Sequence, residues 1–198
     1  MSKTIRALLI GLAGVILIAT IGYGAYRVVK VNQAFPAPTT FSYGLNQAIK
    51  GGEVTLRVTK ARLMTPAEIR KIAPDFKVDI SLDGRLITDE RAKILLIDVC
   101  ITNKSEKAVT VPVRDYSAQS RAWSNGADPE LLARLNDAYH DDVIAIGPKK
   151  TMTAYLAYSM YDFQFASQDE WRQVYKRPYE LVVSLYPNKN VVALRLEK

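Results

Sequence analysis

Apolar residues are spaced in three different ways along the chain, and each spacing predicts a different element. From Ala7 to Tyr26 the sequence ALLIGLAGVILIATIGYGAY holds no charge. As a helix at ~1.5 Å per residue, such a run covers ~30 Å, the hydrocarbon thickness of a bilayer. Leu8, Leu9, Ile10, Leu12, Val15 to Ile18 and Ile21 each favour insertion by roughly 0.3–0.6 kcal/mol. Gly11, Gly14, Gly22 and Gly24 are ordinary in membrane helices, and Tyr23 and Tyr26 stand where interfacial aromatics belong. The pattern predicts a transmembrane helix over 7–27, with 1–6 as a short tail. A cleaved signal peptide has a shorter apolar region, about 7–15 residues, and a small-x-small site before the cut. Gly24-Ala25-Tyr26 is a poor site, and Cys100, the only cysteine, rules out a lipobox. The expectation is an uncleaved signal-anchor. Residues 28–52, with Pro36 and Pro38 in FPAP and Gly51-Gly52 at the end, read as an extended stalk.

After the stalk the period falls to two. Val54, Leu56 and Val58 alternate with Thr55, Arg57 and Thr59, as in a half-buried strand. Thr65-Pro66 opens a short helix, TPAEIRKIA, with Glu68 placed for a capping box. Phe76, Val78, Ile80 and Leu82 alternate up to Asp83-Gly84, a hairpin signal, and Arg85–Thr88 is the return strand. Ala92–Thr102 (AKILLIDVCIT) is apolar in both registers, as a central strand should be. Residues 103–107 form a polar turn, Val109, Val111 and Val113 alternate, and Asp115–Trp123 continues the sheet to a turn at Ser124-Asn125-Gly126. Asp128-Pro129-Glu130 opens a helix running to about Tyr139.

Beyond a turn at Gly147–Lys150, Met152, Ala154, Leu156, Tyr158 and Met160 alternate, which puts Tyr155 and Tyr161 on the solvent register. Ser167-x-x-Glu170 caps a short helix carrying Trp171 and Val174. Tyr179–Leu185 and Val191–Leu196 flank a hairpin loop at 186–190. The deepest positions expected are Val54, Leu56, Val58, Leu95, Ile97, Val99, Val183 and Leu185. Some seven or eight short strands predict a mostly β, immunoglobulin-like β-sandwich with short helical insertions over 53–198. A small β-barrel or an α+β domain is the next arrangement the pattern allows.

Charge narrows the class of partner. The chain carries 27 basic and 20 acidic residues. Lys3, Arg6, Arg27 and Lys30 are the only charges in the first 30 residues, leaving 23 basic against 20 acidic, a net +3, for the rest. That excess is too small for a nucleic-acid footprint. The basic residues flanking the apolar run are balanced, so charge does not orient it. A lone cysteine allows no internal disulfide, and within its apolar run Cys100 reads as a small buried hydrophobe.

An apolar anchor, a Pro-containing stalk and an alternating strand are followed by LLIDVCITNKSEKAVTVPV, GPKKT, SQDEW and YELVVSLYPNKNVVALRL. In that order these segments resemble uncharacterised membrane-anchored proteins of Gram-positive bacteria that carry an immunoglobulin-like domain of unknown function. Ile97–Val113 is also similar to exported bacterial immunoglobulin-like domains more widely. The resemblance implies an extracytoplasmic domain, and it carries no functional residues.

Candidate chemistry is sparse. His140, the only histidine, lies in Asp137-Ala138-Tyr139-His140-Asp141-Asp142, a segment rich in oxygen and imidazole ligands. It lacks the alternating ligands and the glycine of an EF-hand, and zinc needs more His or Cys than the chain has. No Gly-x-Ser-x-Gly elbow is present. The expectation is therefore no catalytic, metal or cofactor-binding residue, no cofactor and no enzyme activity. On an exposed face the aromatics from Tyr155 to Tyr186 would suit a glycan or a protein partner; they read first as core filling and sheet cross-pairs, with Trp171 docking its short helix and with Tyr155 and Tyr161 the exceptions. The sequence thus predicts a single-pass plasma-membrane protein whose extracytoplasmic domain is a binding or accessory module. Its partners are the membrane and a protein of the cell envelope, with no nucleic acid and no identified small-molecule substrate. The alternative is an envelope hydrolase or metal-dependent enzyme using the His140 region.

Overall fold

The computed structural model describes residues 3–78, 81–82 and 85–197. It divides into two units, Met1–Pro38 and Thr39–Lys198. The first holds α1 (Lys3–Ala34), one helix of 32 residues. Its segment Ile10–Ala34 is long and apolar enough to cross a membrane. The helix passes the expected end at residue 27 because Val28–Ala34 contains no breaker before Pro36. The stalk reading of 28–52 is therefore corrected at both ends: 28–34 are helical, and strands begin at Thr39. The β unit starts at Thr39, ahead of the expected residue 53.

In chain order the second unit contains β1 (Thr39–Tyr43), β2 (Ala48–Gly51), β3 (Val54–Met64), α2 (Pro66–Ile69), β4 (Ser81–Leu82), β5 (Arg85–Leu86) and β6 (Ala92–Asn103). It continues with β7 (Val109–Val111), β8 (Ser117–Ser120), β9 (Trp123–Gly126), α3 (Pro129–Leu135), β10 (Tyr139–His140) and β11 (Val143–Ile146). β12 (Thr151–Tyr161), α4 (Gln168–Arg172), β13 (Tyr179–Ser184) and β14 (Asn188–Leu194) complete it. One sheet has the order β12-β6-β3-β2, a second β1-β14-β13-β8-β9, a third β10-β11-β7, and β4-β5 is a two-stranded ribbon.

The two larger sheets share one core. Leu56, Val58, Ile97, Val99, Leu156 and Tyr158 meet Ala118, Trp123, Tyr179, Leu181 and Val192, and Val111, Ile144 and Ile146 of the small sheet join them. This is the mostly β, immunoglobulin-like sandwich with short helices that the alternation predicts. A second apolar cluster lies on the other side of the β12-β6-β3-β2 sheet. There Ile94, Leu96 and Ala157 are covered by Ile69, Ala73, Phe76 and Leu131 from the α2 and α3 segments.

Several local expectations are met in detail. Thr65 and Glu68 form the capping box of α2, and Asp128 accepts from the Leu131 N–H to cap α3. Ser167 caps α4 in the same way, but the Glu170 carboxylate turns to Arg177 instead of closing a box. Trp171 is buried and its ring lies 5.4 Å from that of Phe165.

Other expectations are corrected. Ser124-Asn125-Gly126 is strand, because the hairpin turns earlier, between paired Ser120 and Trp123, with Arg121 at positive φ. α3 stops at Leu135, where the buried Asn136 side chain joins its own backbone N–H in donating to the Leu132 carbonyl. Of the expected strand 76–82, only Ser81–Leu82 is strand among the described residues. The Asp83-Gly84 turn lies outside them. Leu56, Val58, Leu95, Ile97 and Val99 are deeply buried, but Leu185 is 63% exposed because β13 ends at Ser184. Tyr161 is buried rather than solvent-facing, packed with Ile87 and Ala92 and stacked on Phe163.

Candidate functional site

The outward register of β6 changes character along its length. Ile94 and Leu96 lie under the helical cover, whereas Asp98, Cys100 and Thr102 are only partly buried. The polar residues begin where the cover ends. Cys100 is consequently half-buried, paired with Arg57 on one side and Thr153 on the other, and is not the enclosed hydrophobe expected.

At the boundary between covered and open halves sits a cleft of about 380 Å³, lined by Arg62, Ile72, Asp98, Arg134, Leu135 and Tyr155. Its floor is held by the sheet. Asp98 pairs across β6–β12 with Tyr155 and across β6–β3 with Lys60, in a register shifted by a bulge at Thr59. The bulge is pinned by the Thr59 hydroxyl, which donates to the Asp98 carbonyl at 3.1 Å. Arg62 reaches over β6 and its guanidinium donates to Asp98 Oδ1 at 2.5 Å. Arg62 Nε is buried with no hydrogen-bond partner.

The rim comes from the helices. Buried Asn136 ties α3 to β12, donating to the Leu132 and Tyr155 carbonyls and accepting from the Tyr155 N–H at 2.7 Å. That lock fixes Tyr155 against α3. Arg134 is partnered by Glu130 at 2.9 Å, and Ile72 is 48% exposed. Two guanidinium groups, one carboxylate, a tyrosine and two aliphatic side chains therefore converge. Such a lining suits an anionic group carried on an apolar body. Sequence reasoning missed Arg62, Asp98, Arg134 and Asn136. The one available signal was Asp98, a lone charge inside the most apolar strand.

The His140 segment is built otherwise. His140 and Val143 are a cross-strand pair, so Asp141 and Asp142 form a two-residue hairpin turn, both at positive φ. Aspartate tolerates that conformation. Asp142 accepts from Arg114 and from the Tyr139 hydroxyl, the latter at 2.9 Å. The hydrogen bond from Arg114 is the main reason its carboxyl sits below the usual carboxylate range. Among the described residues no group of three His, Cys, Asp or Glu side chains is placed to share a metal ion.

A smaller recess of about 270 Å³ lies over Asn125, Asp128, Ser159 and Tyr161. Ser159 donates to Asp128 Oδ2 at 2.6 Å, and Asn125 donates to the Ser159 carbonyl. These bonds join β9, α3 and β12. They leave the serine held by a carboxylate, with no histidine in the recess to act as its base.

A family profile described as "Domain of unknown function (DUF5028)" matches residues 32–190 of this 198-residue chain. The chain belongs to the DUF5028 family. Membership in a family of unknown function bears out the resemblance read from the sequence, to uncharacterised proteins that carry an immunoglobulin-like domain of unknown function. No curated protein matches the chain. Among solved structures, this chain is similar to an uncharacterized beta-sandwich protein from Clostridium difficile 630, with 13% identity, TM-score 0.47, and 80% of this chain and 96% of that one covered. A functionally unknown protein from Listeria monocytogenes matches at 14% identity and TM-score 0.47, covering 76% and 82%. The yjhA protein from Bacillus subtilis matches at 14% identity and TM-score 0.41, covering 77% and 99%.

Proposed function

We propose that this protein is a membrane-anchored, extracytoplasmic binding or accessory module and not an enzyme. In this reading α1 is a permanent single-pass anchor in the plasma membrane. The β unit binds an envelope partner that presents a carboxylate or similar anion. The observation that carries the reading is the cleft at Arg62, Asp98 and Tyr155, where a buried guanidinium N–H lacks an acceptor. An unmet donor of that kind costs about 1–3 kcal/mol, and a ligand oxygen would recover it. The alternative of a hydrolase or metal-dependent enzyme at His140 finds no comparable support, since Asp142 is already engaged by Arg114 and Tyr139.

Protease added to intact cells tests the placement. The β unit should be degraded while a cytoplasmic marker survives, and the mature protein should retain α1. Full protection until lysis, or a new amino terminus near Arg27, would overturn it.

A further inference from the structure

Two features at one end of the β unit belong together. β1 runs parallel to β14, with Thr39 opposite Asn188. The chain therefore arrives in the β unit beside the tip of the β13–β14 hairpin, residues 185–187. At that tip Leu185 and Tyr186 are 63% and 69% exposed. This adjacent leucine and tyrosine leave most of their apolar surface uncovered, and both side chains favour a membrane interface.

The second feature is charge. Glu197 bridges Arg62 in parallel, so β3 and the C-terminal strand run in the same direction. Followed back from that bridge, the Glu53 end of β3 and the Asn188 end of β14 therefore lie at the same end of the β unit. The Glu53 carbonyl accepts from the Lys104 N–H at 2.8 Å, the Ser105 carbonyl from the Lys149 N–H, and the Lys150 carbonyl from the Asn103 N–H. The turns at 51–53, 103–107 and 147–150 are thus one contiguous surface at the hairpin-tip end. It carries Lys50, Lys104, Lys107, Lys149 and Lys150, all exposed, with Lys189 following the tip. Its acids are Glu53 and Glu106, and Glu106 pairs with Lys149 at 2.9 Å. Six cations face two anions.

The covalent path from Ala34, where α1 ends, to Thr39 is five residue steps, at most about 18 Å. The chain from α1 thus enters the β unit at its lysine-rich, Leu-Tyr-tipped end. We infer that this end docks on an anionic lipid surface: Leu185 and Tyr186 enter the interface while the lysines of the three turns meet lipid headgroups. This rests on the anchoring reading above. The consequence is a β unit held upright, with the Arg62–Asp98 cleft presented at a fixed height. Each lysine near an anionic surface contributes about 1 kcal/mol, a factor of roughly five in the docked-to-free ratio.

The test uses the full chain in vesicles, with Cys100→Ala and an environment-sensitive fluorophore on Leu185→Cys. A second protein carries the probe on Lys176→Cys, beyond the other end of β13. In vesicles containing phosphatidylglycerol, the probe at 185 should shift to the blue and be quenched by brominated lipid, and the probe at 176 should not. Combining Lys104→Gln, Lys107→Gln and Lys150→Gln, or using pure phosphatidylcholine, should abolish the effect at 185. Flotation after a high-salt wash reports on anchoring separately: a chain that leaves the vesicles contradicts the anchor. A chain that floats with its tip unquenched in anionic vesicles overturns the docking alone. Binding to a soluble polyanion with no spectral change at 185 also overturns it, and identifies the lysines as a polymer site.

Discussion

Arg62 and Asp98 stand on neighbouring strands, and the guanidinium of one donates to the carboxylate of the other at 2.5 Å across the edge of the helical cover. Their side chains are 34% and 13% exposed, so the pair is neither open to solvent nor sealed. Exposed pairs are worth about 0–1 kcal/mol, whereas stranding a buried charge costs about 3–5 kcal/mol. Asp98→Ala leaves the carboxylate's cation in place beside Arg134. It should destabilise the fold by roughly 1–3 kcal/mol, and Arg62→Ala, which strands the more buried Asp98 carboxylate, by at least as much. Thermal melts of the two single variants and the double variant measure the coupling. A double variant whose loss equals the sum of the two single losses would mean the two do not act as a pair.

Asn103 is 1% exposed and acts as a staple. Its amide donates to the carbonyls of Lys107, Ile146 and Gly147, and its carbonyl accepts from the Ser105 N–H and hydroxyl. Asn103→Ala removes the side-chain donor from three carbonyls at once, and of these Lys107 keeps the Ser105 hydroxyl and Gly147 the Lys150 N–H. The loss should reach roughly 2–3 kcal/mol, and amide exchange should accelerate first at Lys107 and Gly147. Asn103→Asp should be at least as harmful, because a carboxylate cannot donate to three carbonyls. A near-neutral melt for either variant would show that the turns hold themselves.

Asp162, 6% exposed, accepts from Arg91 at 2.8 Å. That bond, opposed in part by burial, holds its carboxyl below the ordinary carboxylate range. A group depressed in the folded state contributes stability that is present above its unfolded value, near 4, and is lost as pH falls through its lower folded value. Stability should therefore decline below about pH 4. Asp162→Asn should lower the plateau at neutral pH and flatten that decline. Urea melts from pH 2 to 7 give both numbers. An unchanged acid limb in the variant would assign the acid sensitivity to other carboxylates.

Much of this architecture is legible from alternation, and the failures have specific causes. The core register of β3, β6 and β12 follows from period two, as do the caps Thr65, Asp128 and Ser167. The turn at Asp141-Asp142 escaped because two aspartates at positive φ lack the glycine that marks such hairpins. Cys100 and Asp98 were hidden by neighbours: a strand apolar in both registers suggests cover on both faces, yet α2 and α3 cover only the Ile94–Leu96 half. The cleft depends on where that cover stops, and on Asn136 locking α3 to Tyr155, 19 residues apart in sequence. Neither fact is carried by local spacing.

In the proposed function the β unit binds through this cleft while α1 remains in the membrane. The direct measurement is photo-crosslinking in native membranes from a benzoyl-phenylalanine placed at Tyr155, with the same residue at Phe163 as a control outside the cleft. The account predicts one discrete adduct from position 155, absent from position 163 and lost when Arg62→Ala is added. Adducts identical at both positions, or an adduct at 155 that survives Arg62→Ala unchanged, would contradict it.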